Sequence, residues 1–257
     1  MSFDPSKAAR FIDEAHRSKA RYENLPAELA PRTISEAYDV QEALRDLWIP
    51  VHGAVAGLKI ATTTKVMQQL MGIDHPCAGI IYANHVHLSP ARISKESFQN
   101  LAIECELAIR LGHNQAQTTA PFTRDTVKQV IAAAMPAFEL IEDRHAVYRE
   151  TEALSLIADN AWNGGIIIGR DAAVPDGDLD KLPGRLLING QEVRAGKTDD
   201  PLGALAWIAN LAAERDRPIT AGMIVITGSV IATLPVATGD KLVFVLEGLG
   251  TTELTLV

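Results

Sequence analysis

Two glutamates separated by one residue stand inside an apolar segment of this 257-residue chain. Glu104 and Glu106 lie within 101–111, which is otherwise mostly apolar and is predicted to form a β-strand. Alternate side chains of a strand point to opposite faces, so the two carboxylates share one face and Cys105 takes the other. Crowded carboxylates on an apolar face repel each other and lose hydration unless a cation pairs with them. A hard divalent cation such as Mg²⁺ meets that need because it prefers oxygen ligands.

A third candidate ligand is Glu139, which stands in the short apolar segment 135–141. Together with Glu104 and Glu106 it predicts a three-carboxylate metal site that leaves positions open for water or substrate. The ordinary alternative is that the Glu-x-Glu spacing marks the solvated edge of an amphipathic strand. The residues by themselves leave both interpretations open.

Lys59 is a lysine within the apolar segment 55–60. It is either a cation that stabilises a substrate oxygen or exchanges a proton, or a structural lysine paired with a buried acid. Thr227, Gly228 and Ser229 follow the apolar residues 224–226, where their backbone amides and hydroxyls are placed to meet an anionic group.

Other polar residues near apolar segments have a simpler interpretation. Asp74 is most simply a turn residue, and Asp159-Asn160 is typical of a turn or a helix cap.

The composition narrows the classes of function. The chain has 24 basic and 32 acidic residues and a net charge of −8, without a long basic segment, so nucleic-acid binding is not expected. No segment approaches the roughly 20 apolar residues of a membrane span, and the first residues lack the apolar stretch of a signal peptide. The two cysteines have no metal-ribbon or disulfide spacing. We therefore expect a cytoplasmic protein with no membrane partner and a small-molecule substrate.

Periodicity and capping residues predict the secondary structure. Helices are expected over 8–19, over 36–48 with Leu47 on the buried face and Pro50 as the terminator, over 65–71 and over 201–215. Strands are expected over 57–61, 79–82, 101–111, 137–141, 165–168, 186–188, 223–227, 241–246 and 253–257, with a hairpin at Asn189-Gly190. This pattern favours an α+β fold in which a mixed β-sheet rolls into a barrel-like structure beside an N-terminal helical region. We expect an N-terminal helical region with the first strand over 1–72 and a catalytic mixed-sheet domain over 73–257.

Taken in order, the motifs of this chain resemble one family. They are similar to those of the 2-keto-4-pentenoate hydratase and 4-oxalocrotonate decarboxylase branch of the fumarylacetoacetate hydrolase superfamily, over nearly the whole chain. The matching segments are 37–41 (AYDVQ), 57–60 (GLKI), 71–76 (MGIDHP), 103–108 (IECELA), 136–141 (PAFELI), 158–161 (ADNA), 200–202 (DPL), 221–222 (AG) and 226–228 (ITG).

The resemblance implies a site and an activity. It implies Mg²⁺ or Mn²⁺ held by Glu104, Glu106 and Glu139, with Lys59 and Asp74 as catalytic residues. It also implies that the substrate, a small 2-oxo acid or its dienol, is bound by a set of polar residues, and that the protein forms a homo-oligomer. That set comprises Thr227, Gly228, Ser229, Asp159 and Asn160.

The resemblance leaves the reaction open among related possibilities. The leading expectation is a hydratase that adds water to a 2-hydroxy-2,4-dienoate. The alternatives are a 4-oxalocrotonate-type decarboxylase, an acylpyruvate-type hydrolase and a metal-binding paralogue without turnover. The sequence departs from the family pattern near the expected pocket, at Ala61, Trp162, Asn163 and 229–231.

Overall fold

A computed structural model describes residues 3–112, 121–174 and 179–257. Within these ranges the α-helices are α1 Pro5–Arg17, α2 Ile34–His52, α3 Lys65–Met71, α4 Arg124–Val127, α5 Ala153–Ala158 and α6 Pro201–Glu214. The strands are β1 Val55–Ala61, β2 Cys77–Tyr82, β3 Val86–Leu88, β4 Ala91–Ile93, β5 Leu101–Leu111, β6 Ile131–Glu142, β7 Asn163–Ile168, β8 Pro183–Ile188, β9 Gln191–Lys197, β10 Ile224–Pro235, β11 Lys241–Leu246 and β12 Gly250–Leu256.

Two mixed sheets form the body of the described structure. One runs β2-β1-β10-β5-β6-β7-β3 and the other β4-β12-β11-β8-β9. Most neighbours are antiparallel, but β1 with β10, β3 with β7 and β4 with β12 are parallel. The sheets roll toward each other into a half-barrel, and Phe138 of β6 packs against Phe244 of β11 with ring centroids 6.2 Å apart. The predicted α+β fold is thereby confirmed.

The N-terminal helices begin where the sequence provides caps. Asp4 accepts the backbone N–H groups of Ser6 and Lys7 at the start of α1, and Thr33 accepts that of Glu36 at the start of α2. The face of α2 that carries Val40 and Leu44 is fully buried. Among the described residues, no helix is both long and apolar enough to cross a bilayer.

Two details of the predicted second helix are wrong. Pro50 does not end α2, which continues to His52, because a proline near the last turn sacrifices few helical hydrogen bonds. Leu47 is 38% exposed and does not join the buried face.

The predicted strands and hairpins are largely confirmed, with changed lengths. Asn189 and Gly190 both have positive φ and connect β8 to β9 as the hairpin signal predicts. Several strands extend beyond their predicted ends, and β6, β8, β10 and β12 begin or end at least three residues outside the apolar segments. The division at residue 72 stays a prediction; β1, on its N-terminal side, lies between β2 and β10 in the larger sheet.

Candidate metal centre

The three predicted glutamates converge on one face of the larger sheet. Adjacent β5 and β6 are antiparallel, and their register places Glu104 directly opposite Glu139. Glu106 lies two residues along β5, so its side chain joins the same face. One carboxylate oxygen from each residue lies within 4.8 Å of the others. The structure thus brings together all three residues that the sequence analysis proposed as ligands.

Two of these carboxylates are fully buried and each keeps one oxygen without a partner. Glu106 and Glu139 are both 0% exposed. Glu106 Oε2 accepts the Gly228 N–H at 2.6 Å, while Oε1 has no hydrogen-bond partner. Glu139 Oε1 has partners, but Oε2 does not. Buried polar atoms are rarely left unpaired, and these two oxygens are available to bind a cation. Three converging carboxylates, two of which have an unpartnered oxygen, fit a hard divalent metal ion.

The electrostatics of the cluster agree with this assignment. Burial, followed by the neighbouring carboxylates of Glu139 and Glu104, raises the pKa of Glu106 well above its usual value. Burial also raises the pKa of Glu139 to about 7, although the Lys59 ammonium opposes that rise. Without a metal ion, the cluster therefore holds its negative charge at a high energetic cost. A divalent cation would offset that cost.

Lys59 reaches the cluster from β1. Its Nζ lies 2.9 Å from Glu139 Oε1, and its side chain is 3% exposed. Burial alone would lower the pKa of Lys59, but the carboxylates of Glu139 and Glu104 outweigh burial and raise it. Gly79 of β2 is required here, because a Cβ at that position would lie 2.7 Å from the Asn160 carbonyl oxygen and 3.1 Å from Lys59 Cγ.

Thr227, Gly228 and Ser229 surround the cluster from β10. The Gly228 N–H bonds Glu106, and Ser229 Oγ donates to Glu104 Oε2 at 2.5 Å. The Thr227 hydroxyl donates to the Leu107 carbonyl at 3.1 Å. The three residues also line a cavity of about 790 Å³, which therefore adjoins the glutamates. Gly228 and Ser229 thus orient two of the predicted ligands, whereas Thr227 bonds the backbone of β5, and the role of all three in substrate binding stays a prediction.

Asp74, Asp159 and Asn160 have other surroundings. Asp74 lies exposed in the bend before β2, and its backbone carbonyl accepts from Lys65 Nζ. Asp159 is buried, and its carboxylate contacts His16 Nε2 at 2.6 Å and the Arg144 guanidinium rather than the glutamate cluster. The Asn160 side chain exchanges two hydrogen bonds with the backbone of Ile80 in β2. The structure therefore gives Asp159 and Asn160 structural contacts, and only the Asn160 backbone comes near Lys59.

Two further residues contact the ligands and were not predicted as site residues. Asn163 Nδ2 donates to Glu139 Oε1 at 2.8 Å, and the Thr233 hydroxyl donates to Glu104 Oε1. Asn163 stood out in the sequence only as a departure from the family pattern. No local sequence pattern identifies Thr233 as a site residue, because its position opposite β5 depends on several register irregularities in β10.

Trp162 does not line the cavity beside the cluster. It is 6% exposed, and its ring lies 5.1 Å from the rings of both Tyr22 and Tyr148. It therefore belongs to the core between the N-terminal segment and the larger sheet.

Comparison with known proteins supports the same family. The family model for the C-terminal domain of fumarylacetoacetate (FAA) hydrolase matches residues 75–257. The chain belongs to the fumarylacetoacetate hydrolase family.

Individual members of the fumarylacetoacetate hydrolase family align with nearly the whole chain. It is 27% identical to 2-keto-4-pentenoate hydratase 2 of Dechloromonas aromatica (strain RCB), with 96% of this chain and 95% of the relative covered. It is 30% identical to 2-oxo-hept-4-ene-1,7-dioate hydratase of Escherichia coli, with 90% of each covered. The structure of 4-oxalocrotonate decarboxylase from Pseudomonas putida G7, complexed with magnesium and adipate, superposes with a TM-score of 0.90 at 26% identity, covering 98% of this chain and 97% of that one. The predicted family is confirmed, and its members include both hydratases and decarboxylases.

Proposed function

We propose that this protein is a metal-dependent hydratase that adds water to a 2-hydroxy-2,4-dienoate of the 2-keto-4-pentenoate type. The product is a 4-hydroxy-2-oxo acid. The observation that carries the proposal is the buried glutamate cluster with two unpartnered oxygens and Lys59 beside it. Relatives named as hydratases, aligned over most of the chain, support the reaction type.

Glu104, Glu106 and Glu139 are the residues that would hold the metal ion, and we assign Mg²⁺ or Mn²⁺ to them. When bound, such an ion supplies Lewis-acid polarisation of the carboxylate and 2-oxygen of the substrate. The hydroxyls of Ser229 and Thr233 keep Glu104 oriented, and the Gly228 N–H does the same for Glu106. The magnesium in the decarboxylase structure supports the choice of a hard divalent ion.

Lys59 is placed to stabilise negative charge. Because its pKa is raised, it remains an ammonium near neutral pH and donates hydrogen bonds rather than acting as a base. We assign it the task of stabilising the 2-oxygen as that oxygen becomes an enolate. In 2-hydroxypenta-2,4-dienoate the hydroxyl proton is lost and C5 gains one, which gives the 2-oxo-3-enoate. Water then adds its oxygen to C4, and C3 gains a proton.

Asp74 keeps its proposed role in proton transfer. Its exposed position before β2 places it in the segment that leads from α3 toward the cavity wall at Pro76. An Asp74→Asn variant tests the assignment, since it removes a proton acceptor with little change of shape. An unchanged kcat would contradict it.

Decarboxylation of a 4-oxalocrotonate-type acid is the second candidate. It is favoured by the similarity to the decarboxylase over 98% of this chain. In that reaction the C–C bond to the departing carboxylate breaks, CO₂ leaves, and the electron pair passes to the 2-oxygen. The same carboxylates and Lys59 would serve it.

One experiment separates the two reactions. The protein is supplied with 2-hydroxypenta-2,4-dienoate or 2-oxo-3-hexenedioate and with Mg²⁺ or Mn²⁺, and both chromophore loss and CO₂ release are followed. Chromophore loss without CO₂ identifies a hydratase, whereas CO₂ release identifies a decarboxylase. No change with either substrate and either metal ion would contradict both assignments and favour a paralogue without turnover.

We also propose that the protein forms a homo-oligomer. The described surface carries exposed apolar side chains, including Val51, Val66 and Leu88, each at least 68% exposed. Packing such side chains against a second copy of the chain would remove apolar area from water, which stabilises an assembly. Light scattering during size-exclusion chromatography tests the proposal, and a mass of 27.7 kDa would contradict it.

A further inference from the structure

Two histidines meet in the wall of a second cavity, away from the cavity that adjoins the glutamate cluster. His52, at the end of α2, and His85, just before β3, both line this second cavity, which has a volume of about 560 Å³. None of the described residues lines both cavities. His52 Nδ1 lies 2.9 Å from His85 Nε2, so one nitrogen of each ring is directed at the other ring.

The hydrogen bonds of His85 leave its Nε2 available as a ligand. Its Nδ1 lies 3.1 Å from the Gly164 carbonyl oxygen, which can only accept, so Nδ1 carries the proton and Nε2 has a lone pair in the neutral ring. Histidines that bind metal ions usually have this arrangement, in which the other ring nitrogen donates to a carbonyl group and fixes the ring. The His85 lone pair is directed toward His52.

The His52 ring is held in place and is uncharged. It packs edge-on against Trp48 with ring centroids 5.4 Å apart, and its centroid lies 5.9 Å from that of Tyr82. Burial, followed by the neighbouring His85 and His16, lowers the pKa of His52, so its imidazole is neutral at pH 7. Neutral imidazole is the form that binds metal ions.

The distance between the two nitrogens selects the kind of ion. Nitrogen ligands lie roughly 2.0–2.1 Å from a first-row metal ion. Two such ligands at a right angle are then about 2.9 Å apart, whereas at a tetrahedral angle they are about 3.3 Å apart. The observed distance of 2.9 Å matches the right angle that Cu²⁺ and Ni²⁺ prefer. Mg²⁺ is not suited to this pair, because it prefers oxygen ligands.

We infer that His52 and His85 form a second metal site, which binds Cu²⁺ or Ni²⁺ through His52 Nδ1 and His85 Nε2. The ion takes the place of the proton that lies between these two nitrogens. That proton moves to His52 Nε2, which has no hydrogen-bond partner among the described residues. Within the described ranges no third ligating side chain joins the pair, so water molecules in the cavity complete the coordination.

Electron paramagnetic resonance (EPR) with Cu²⁺ and calorimetry with Ni²⁺ test the site. Both use the intact chain without a polyhistidine tag, at pH 7.5 and with Mg²⁺ in excess to occupy the glutamate cluster. We expect a Cu²⁺ spectrum with superhyperfine splitting from two nitrogens. His52→Gln and His85→Gln should each reduce the splitting to that of at most one nitrogen and weaken Ni²⁺ binding at least about tenfold. His145→Gln, which removes an exposed histidine, should change neither result.

Every other result overturns the inference. Circular dichroism identifies the variants that fold, and unchanged Ni²⁺ affinity in either folded histidine variant contradicts the shared site. The inference also fails if the native protein binds neither ion in excess Mg²⁺, if Mg²⁺ displaces the bound ion, or if His145→Gln causes the same loss. None of these measurements depends on turnover of 2-hydroxypenta-2,4-dienoate, so the result stands apart from the proposed reaction.

Discussion

Lys59 Nζ and Asn163 Nδ2 both donate to the same oxygen of Glu139, from distances of 2.9 and 2.8 Å. The two donors come from β1 and β7, on opposite sides of the β5-β6 pair in the larger sheet. Their shared acceptor is Oε1, so the other oxygen of Glu139 is left unpartnered and available to a metal ion. The fixed rotamer of one glutamate thus depends on two strands that are not adjacent to each other.

Replacing Lys59 by methionine tests its role in charge stabilisation. We expect Lys59→Met to lower kcat for 2-hydroxypenta-2,4-dienoate by about 10²- to 10⁴-fold, the usual contribution of a positioned acid–base group. Mg²⁺ affinity should fall less than in Asn163→Ala, since the loss of a donor to Glu139 is offset by the removal of a positive charge beside that ligand. Steady-state kinetics and calorimetry measure both. The exposed Lys241 provides the control Lys241→Met, and an unchanged kcat in Lys59→Met would contradict the assignment.

Replacing Glu106 by glutamine should separate metal binding from stability. The pKa of Glu106 is raised in the folded protein, so the metal-free protein is most stable below the unfolded pKa and loses stability as pH rises toward the folded pKa. Glu106→Gln removes that penalty, so near pH 7 its metal-free Tm should rise by roughly 2–4 °C for each kcal/mol gained. Mg²⁺ affinity should fall more than about tenfold.

Thermal unfolding with and without Mg²⁺ measures both effects of Glu106→Gln. Glu253→Gln, at an exposed position, serves as the control. Full retention of metal affinity in Glu106→Gln would show that Glu106 is not a ligand.

Asn163 is expected to act through Glu139. Asn163→Ala should weaken Mg²⁺ binding by about tenfold and lower kcat, because Glu139 loses one of the two donors that orient it. Asn163→Gln keeps the amide on a longer side chain and should recover part of the affinity. If Asn163→Ala lowered only Tm and left the Mg²⁺ dissociation constant unchanged, its role would be structural.

His52, the last residue of α2, contacts His85, which directly precedes β3, and this pair should make the stability of the folded protein sensitive to acid. His52 Nδ1 lies 2.9 Å from His85 Nε2, and burial followed by the neighbouring His85 lowers the pKa of His52. The unfolded chain therefore takes up a proton at His52 at a higher pH than the folded protein does. The free energy of unfolding should fall as pH drops through 6.5, the usual histidine pKa, toward the folded pKa.

Unfolding measured from pH 7.5 to pH 5 checks this expectation. His52→Gln should lose stability less steeply than the native protein over that interval, whereas His145→Gln, at an exposed site, should follow the native curve. Parallel curves for all three proteins would contradict it.

The sequence could predict the members of the metal cluster but not all of their surroundings. Strand alternation is a local rule, so it places Glu104 and Glu106 on one face from sequence alone. The meeting of Glu104 with Glu139 depends on the register between β5 and β6, which apolar segments do not determine. The hydroxyl of Thr233 reaches Glu104 only because β10 is irregular there.

Buried polar partners were harder to predict because they join distant parts of the chain. Asp159 suggested a turn or cap by its local sequence, yet its carboxylate pairs with His16, 143 positions away, and with Arg144. Such pairs follow from the packing of α1 against the rest of the molecule. The capped helices and the Asn189-Gly190 hairpin were predictable because short-range contacts alone determine them.

Asn160, Ala161 and Trp162 take three consecutive positive φ angles, of 53°, 47° and 56°, between α5 and β7. The residue before them is tied to α1 through His16, and the residue after them is tied to the ligand Glu139. Residues other than glycine adopt positive φ angles at a cost in free energy, which the surrounding contacts must offset. A substitution that destabilises α1 would therefore allow this turn to relax and Asn163 to move. Such substitutions should lower the affinity for the metal ion, although α1 does not contact the glutamates. The N-terminal helix is, in that sense, a remote part of the metal site.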